Sequence, residues 1–287
     1  MRRYILLLCA FCSSASAATS LSRDDLSVYY DFTKMTGEGI SARLEAVIAP
    51  AGVTFNPCMK DGNVFSSSGG YNGQGYLVSN SAKPYSPSCE NLGGANINYN
   101  TGGMSFSVKV RDIGGAGVSL CSYFSGSSAG DASFLFSGNS VTTPGYGGGW
   151  DYAPSRNSIV AHTGATLGDL SSLGNASWQS LAVSVASSGI VSLYVDGLLF
   201  ATSKTEWNRM AGNLNSIRLG ANGNNTSALG DGQFSDFAIW NKALTADDAA
   251  WLANNSTNTL LLVPEPTMAS LALLGLAAFG LRRRRTL

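Results

Sequence analysis

Residues 178–203 read WQSLAVSVASSGIVSLYVDGLLFATS, and residues 232–252 read GQFSDFAIWNKALTADDAAWL. In Leu181–Val185 and Ile190–Val195, β-branched, aromatic and apolar residues alternate with small or polar ones, as half-buried strands do. Asp196-Gly197 stands between two apolar runs. That dipeptide favours a two-residue hairpin, because a type I′ turn needs positive φ at both central positions. Phe234–Trp240 is a further strand. Lys242-Ala243-Leu244 then leads into Thr245, a good N-cap. Asp248 stands three residues on, in the place of a capping-box acid, and Leu244 is placed to staple the helix start.

Working outward, Leu26–Phe32 (LSVYYDF) puts Leu26, Val28, Tyr30 and Phe32 on one face of a first strand. Residues 38–50 suggest a short helix around Ile40–Ile48, ended by Pro50. From Pro57 to Asn100, Gly, Ser, Asn and Tyr predominate, and loops with short strands are expected. Met104–Val110 alternates cleanly, with Met104, Phe106, Val108 and Val110 inward and Ser105, Ser107 and Lys109 outward. Val118–Phe124, Ser133–Phe136 and Ser158–His162 also read as strands. Between the last two lies TTPGYGGGWDYAPSRN (142–157), which its glycines and prolines exclude from a central strand.

The chain has 287 residues, of which 13% are charged and 34 are glycine. Few charges and many small residues suit an extracellular all-β protein with many turns. Both ends read as addresses rather than fold. Met1-Arg2-Arg3, the apolar run Tyr4–Phe11 and Ala15-Ser16-Ala17 make a secretory signal peptide with cleavage after Ala17. At the other end Pro264-Glu265-Pro266 precedes an apolar run, Met268–Leu281, and then Arg282–Arg285. As a helix the run would measure about 21 Å, short of the roughly 30 Å hydrocarbon core. The arginines belong on the cytoplasmic side. Six of the 18 basic residues lie in these two ends, against one of the 18 acidic ones. The remainder, with 12 basic and 17 acidic residues, is therefore mildly acidic and shows no basic patch, which argues against nucleic acid as a partner.

The central stretch resembles laminin-G-like domains of the concanavalin-A-like lectin/glucanase superfamily. The resemblance lies in Trp178, Tyr194-Val195-Asp196-Gly197, Ile217-Arg218-Leu219-Gly220 and Gly232–Leu244. It implies a two-sheet antiparallel jelly-roll sandwich over residues 18–258, closed by a short helix. It does not imply one activity, because the superfamily holds lectins, glycosidases, lyases and structural modules. It also places Trp178, Trp240 and Trp251 at packing positions. Residues 259–287 resemble the PEP-CTERM sorting signal of Gram-negative bacteria. That resemblance implies an exosortase-type protease as a partner, a transient membrane anchor through the tail, and a final place at the cell surface or outside it.

Three cysteines remain after Ala17: Cys58, Cys89 and Cys121. An oxidising compartment favours a Cys58–Cys89 bridge, with Cys89–Cys121 as the alternative. For ligands, the glycine-rich loop offers Tyr146, Trp150 and Tyr152 with Asp151, Arg156 and Asn157 beside them. Aromatic faces against sugar C–H surfaces, with planar polar groups on the hydroxyls, make a carbohydrate site, and such sites lie on loops carried by a rigid scaffold. Carbohydrate or another extracellular matrix polymer is thus the expected ligand. Superfamily members often hold calcium, which takes six to eight oxygens. If the first and last strands are neighbours, Asp31 and Asp236 could meet around a Ca²⁺, with Asn224, Asn225 and Asp231 as further donors. The other reading of Asp236 is a carboxylate that hydrogen-bonds a turn or a helix start.

The glucanase pair of catalytic carboxylates, carried as E-x-D-x-x-E on one strand, is missing. After Ala17 the glutamates are Glu38, Glu45, Glu90, Glu206 and Glu265, and none has a second acid two residues on in a strand. His162 is the lone histidine, which excludes a zinc site built on several imidazoles. The expected function is non-catalytic carbohydrate binding or adhesion. A structural envelope or matrix module is the alternative, and an enzyme acting on polysaccharide ranks behind both.

Overall fold

The computed structural model describes residues 19–57, 65–79, 88–90, 92, 102–111, 118–124, 132–136, 159–162, 177–203, 214–219 and 232–262. Within them, strands numbered in chain order form two antiparallel sheets. The larger holds β1 (Leu26–Tyr30), β5 (Phe65–Ser66), β6 (Tyr76–Ser79), β8 (Met104–Arg111), β11 (Ile159–His162), β12 (Gln179–Val185), β13 (Val191–Val195), β14 (Leu198–Ser203) and β16 (Gly232–Trp240). Its order is β11-β14-β13-β12-β8-β16-β6-β5, with β1 also on β16. The smaller sheet, ordered β10-β9-β15-β7-β4-β3-β2, holds β2 (Met35–Thr36), β3 (Arg43–Leu44), β4 (Thr54–Asn56), β7 (Ser88–Glu90), β9 (Val118–Phe124), β10 (Ala132–Phe136) and β15 (Leu214–Leu219). Two short helices close the described chain, α1 (Ala246–Asn254) and α2 (Asn258–Leu262).

The alternation in the sequence fills the space between the sheets. Met104, Phe106, Val108 and Val110 of β8 and Leu181, Val183 and Val185 of β12 share one apolar cluster with Val28, Tyr30, Phe55, Phe234 and Phe237. The rings of Tyr30 and Phe55 meet edge to face at 4.9 Å. Asp196 and Gly197 both have positive φ (48° and 81°), as the hairpin turn requires. The N-cap also forms: Thr245 accepts from the Asp248 N–H (3.2 Å) and Asp248 accepts from the Thr245 N–H (3.0 Å).

The polar face of β8 departs from expectation. Ser105, Ser107 and Lys109 do point away from the inter-sheet core, but they are buried. A second apolar cluster covers that outer face, built from Leu21, Leu26, Tyr29, Ala182, Tyr194, Ala238, Trp240, Leu244, Ala249 and Leu252. The small hydroxyls are what the cover demands. Ser107 Oγ accepts from Trp240 Nε1 (2.9 Å), and Ser105 and Ser184 Oγ accept from the Leu244 N–H (3.1 and 2.8 Å). Leu26 joins this outer cluster instead of the face of Val28, because the β1–β16 register slips between Leu26 and Val28.

The helix expected over 40–48 does not form. A turn of 3₁₀ helix (Gly39–Ser41) leads into β3. Leu44 enters the inter-sheet core whereas Ile48 packs on the outer cluster beside Tyr29, so no single helical face served both.

Candidate functional site

β8 lines one edge of β16. The other edge is shared, by β6 against Gly232–Phe234 and by β1 against Phe237–Trp240. Asp236 stands at this changeover, where the register against β8 also shifts, and it takes φ +50°. Its neighbours converge there: the Gly75 N–H donates to Asp31 O (3.0 Å), and Ser235 Oγ donates to Gly75 O (2.7 Å).

The Asp236 side chain is 2% exposed, so its charge depends on protein donors. Oδ1 accepts from Tyr29 OH (2.9 Å), Gln74 Nε2 (3.3 Å), Ser256 Oγ (3.3 Å) and the Thr257 N–H (3.2 Å). Oδ2 accepts from the Thr257 N–H (3.0 Å) and Oγ1 (3.2 Å). The carboxylate thus ties β1, the Gln74 turn and the corner before α2 to the last strand. Burial first, and then the charge of Asp236, push the Tyr29 hydroxyl well above its usual range, so it serves as a donor.

The first and last strands are neighbours, as the calcium expectation requires. Asp31 is half-buried, and its Oδ1 accepts from Thr33 N–H (3.0 Å) and Oγ1 (2.7 Å). Among the described residues no three His, Cys, Asp or Glu groups converge as metal ligands. Asn224, Asn225 and Asp231 lie outside the described residues.

Lys109 is 3% exposed beside this network. Its Nζ donates to the α1 carbonyls Leu252 O (2.5 Å) and Ala253 O (2.9 Å) and lies 4.2 Å from the centre of the Tyr71 ring. It closes the C-terminal end of α1 where cations are favoured. Burial pulls its pKa down to about 8, against the opposing pull of Asp236 and Asp196. The unfolded lysine holds its proton to about 10.5, so between these values the unfolded chain binds more protons. Stability should therefore rise from pH 8 to 10, by up to ~1.4 kcal/mol per pH unit. Above pH 10 it should fall, because buried Tyr29 and Tyr30 stay protonated while their unfolded counterparts ionise. Urea midpoints across pH 7–10.5 test this. In Lys109→Met the rise should vanish and the fall persist.

Two residues along β8, Arg111 is only half-buried. Its guanidinium lies 4.3 Å from the Trp178 ring centre and 5.3 Å from that of Tyr76. Its Nε donates to Gln233 Oε1 (2.7 Å), and Nη2 donates to Gly69 O (3.1 Å). Tyr76 and Trp178 meet edge to face at 6.3 Å. Trp178, Tyr76, Tyr71 and Gln233 are each partly exposed. This row of rings, guanidinium and amide crosses β6, β16 and β8 to the residue just before β12, on the outer face. The sequence marks Trp178 as packing. Only the register, which sets Arg111 opposite Gln233, assembles the row.

The loop residues Tyr146, Trp150, Asp151, Tyr152 and Arg156 lie outside the described residues, as do Ala17, Cys58, Pro264, Glu265 and Pro266. Among the described residues, β10 ends the smaller sheet and β11 ends the larger. β15 stands between the strands that carry Cys89 and Cys121. Cys89 itself is buried in the inter-sheet core.

Comparison with known proteins agrees with this architecture. Residues 95–250, just over half the chain, match a family described as the concanavalin A-like lectin/glucanases superfamily, and residues 262–285 match the PEP-CTERM protein-sorting motif. Among curated protein sequences none matches. Similar solved structures include a Trypanosoma rangeli sialidase in complex with the inhibitor DANA, at 12% identity and TM-score 0.46, covering 79% of this chain and 32% of that one. The botulinum neurotoxin type G receptor binding domain aligns at 15% identity and TM-score 0.43, covering 80% and 50%. This chain thus spans a third to a half of the structures it matches. With two antiparallel sheets packed face to face and this match, the protein belongs to the concanavalin A-like lectin/glucanase superfamily and carries a PEP-CTERM signal for export and surface sorting in Gram-negative bacteria.

Proposed function

We propose that the protein is a non-catalytic carbohydrate-binding module displayed at the cell surface, its tail processed by an exosortase-type protease. The observation that carries the reading is the partly exposed row of Trp178, Tyr76, Arg111 and Gln233. Apolar ring surface beside planar hydrogen-bonding groups matches the two sides of a sugar, its C–H face and its hydroxyls. The loop carrying Trp150 is the second candidate surface, and a calcium ion near Asp31 an accompanying one.

The test is a glycan array probed with the full chain in a non-glycosidic detergent, with calcium and again with EDTA. Selective binding that falls at least tenfold in Trp178→Ala, with unchanged circular dichroism, is expected. Binding lost in Trp150→Ala but retained in Trp178→Ala would move the site to the loop. A blank array from folded protein would replace this reading with that of a structural module.

A further inference from the structure

Both ends of the described chain pack on one side of the domain. At the N-terminal end, Thr19 Oγ1 and the Ser20 N–H donate to Asp248 Oδ1 (3.0 and 2.7 Å), Lys242 Nζ donates to Ser20 O (2.9 Å), and Leu21 is buried in the outer cluster. At the C-terminal end, Thr257 is held by Asp236, and Leu260 and Leu261 pack against the same cluster. Leu262, the last described residue, is 72% exposed.

The sequence beyond Leu262 soon turns apolar. Residues 263–267 separate Leu262 from the run Met268–Leu281, a reach of about 20 Å at full extension. Sheets and helix layers stack at about 10 Å each, so the smaller sheet lies ~20 Å beyond the helix layer. If the smaller sheet faced the bilayer, the C-terminal tether would have to pass around the whole sandwich, and about 20 Å of chain is too short to do so with slack.

We propose that the helix-capped outer face of the larger sheet is the side that the full chain turns toward a phospholipid bilayer, with the smaller sheet directed away. The inference rests on the sorting tail being seated in the membrane before it is processed. Ala246, at the exposed start of α1 near the N-terminal clasp, and Leu262 then lie nearest the headgroups. Asn215 on β15 and Thr36 on β2, both exposed, lie farthest.

The experiment is cell-free synthesis of the full chain into phosphatidylethanolamine/phosphatidylglycerol vesicles. A fluorescent non-natural amino acid is placed in turn at positions 246, 262, 215 and 36, and the vesicles contain headgroup spin-labelled lipid. Flotation of the vesicles reads anchoring, and quenching reads orientation. Quenching at 246 and 262 at least twice that at 215 and 36 is expected. Flotation with equal quenching at 246 and 215 would overturn the orientation while leaving the anchor. A folded chain that does not float would overturn the seated tail, and the orientation with it.

Discussion

Asp236→Ala lowers the unfolding free energy by about 3–4 kcal/mol, which at this size corresponds to a melting point lower by on the order of 10 °C. The carboxylate is buried, and the donors on it come from three separate parts of the chain: Tyr29 OH, Gln74 Nε2, and the Ser256–Thr257 corner. Removing it strands the Tyr29 hydroxyl and the Thr257 N–H where water does not reach them, and a donor left unmet costs far more than the net worth of its bond. Alanine also suits φ +50° poorly, whereas asparagine tolerates it. Asp236→Asn should therefore cost less, about 2 kcal/mol, through the lost charge and one lost acceptor. Urea denaturation measures both, as a lower midpoint at unchanged slope. A loss under 1 kcal/mol in Asp236→Ala would show that the corner before α2 holds without the carboxylate.

Gly75→Ala should be at least as severe, leaving little soluble protein. A Cβ on Gly75 would stand 1.5 Å from the Phe32 carbonyl oxygen and 2.8 Å from that of Ser66. Both are backbone atoms, so no side chain can swing aside, and relief means pulling β6 away from the end of β1. That displacement breaks the Gly75 N–H bond to Asp31 O and the Ser235 bond to Gly75 O, the contacts that seat Asp236. Gly73 is the control. Its φ is +78°, but its Cβ would meet nothing within 4 Å, so Gly73→Ala pays only for the left-handed backbone, about 1 kcal/mol. Soluble yield and urea midpoints of the two variants separate close approach from backbone strain. Equal behaviour would refute the steric argument.

The strands were legible where one face meets the core and the other is small or polar, as in Met104–Val110 and Leu181–Val185. The Asp196-Gly197 turn and the Thr245 cap were legible because each rests on a local rule of backbone geometry. What local pattern cannot give is what covers a face. Ser105, Ser107 and Lys109 read as solvent-facing, and they are buried because Trp240, Leu244 and the end of α1, some 140 residues later, lie over them in turn. Leu26 went to the wrong cluster for a related reason, since a bulge has no clear mark in LSVYY. Asp236 was visible as a lone acid in an apolar strand, and its reading as a hydrogen-bonding carboxylate at a turn and helix start is the one its partners support. The row around Arg111 depends on register between strands far apart in sequence, so composition alone did not reveal it.

The pairing of β1 with β16 also governs when this chain can fold. β1 is made first, yet its ladder partner ends at Trp240, more than 200 residues later. β8, at the centre of the larger sheet, likewise waits for β12 and β16. Such non-local closure is slow, because the entropy of a long loop is lost before any contact compensates for it. A nascent chain ending before Gly232 lacks β16, which joins β8 to β1 and β6, and both helices that follow it. For a polypeptide that crosses a membrane as an extended thread, that delay is useful. The domain locks only once the last strand has followed the first.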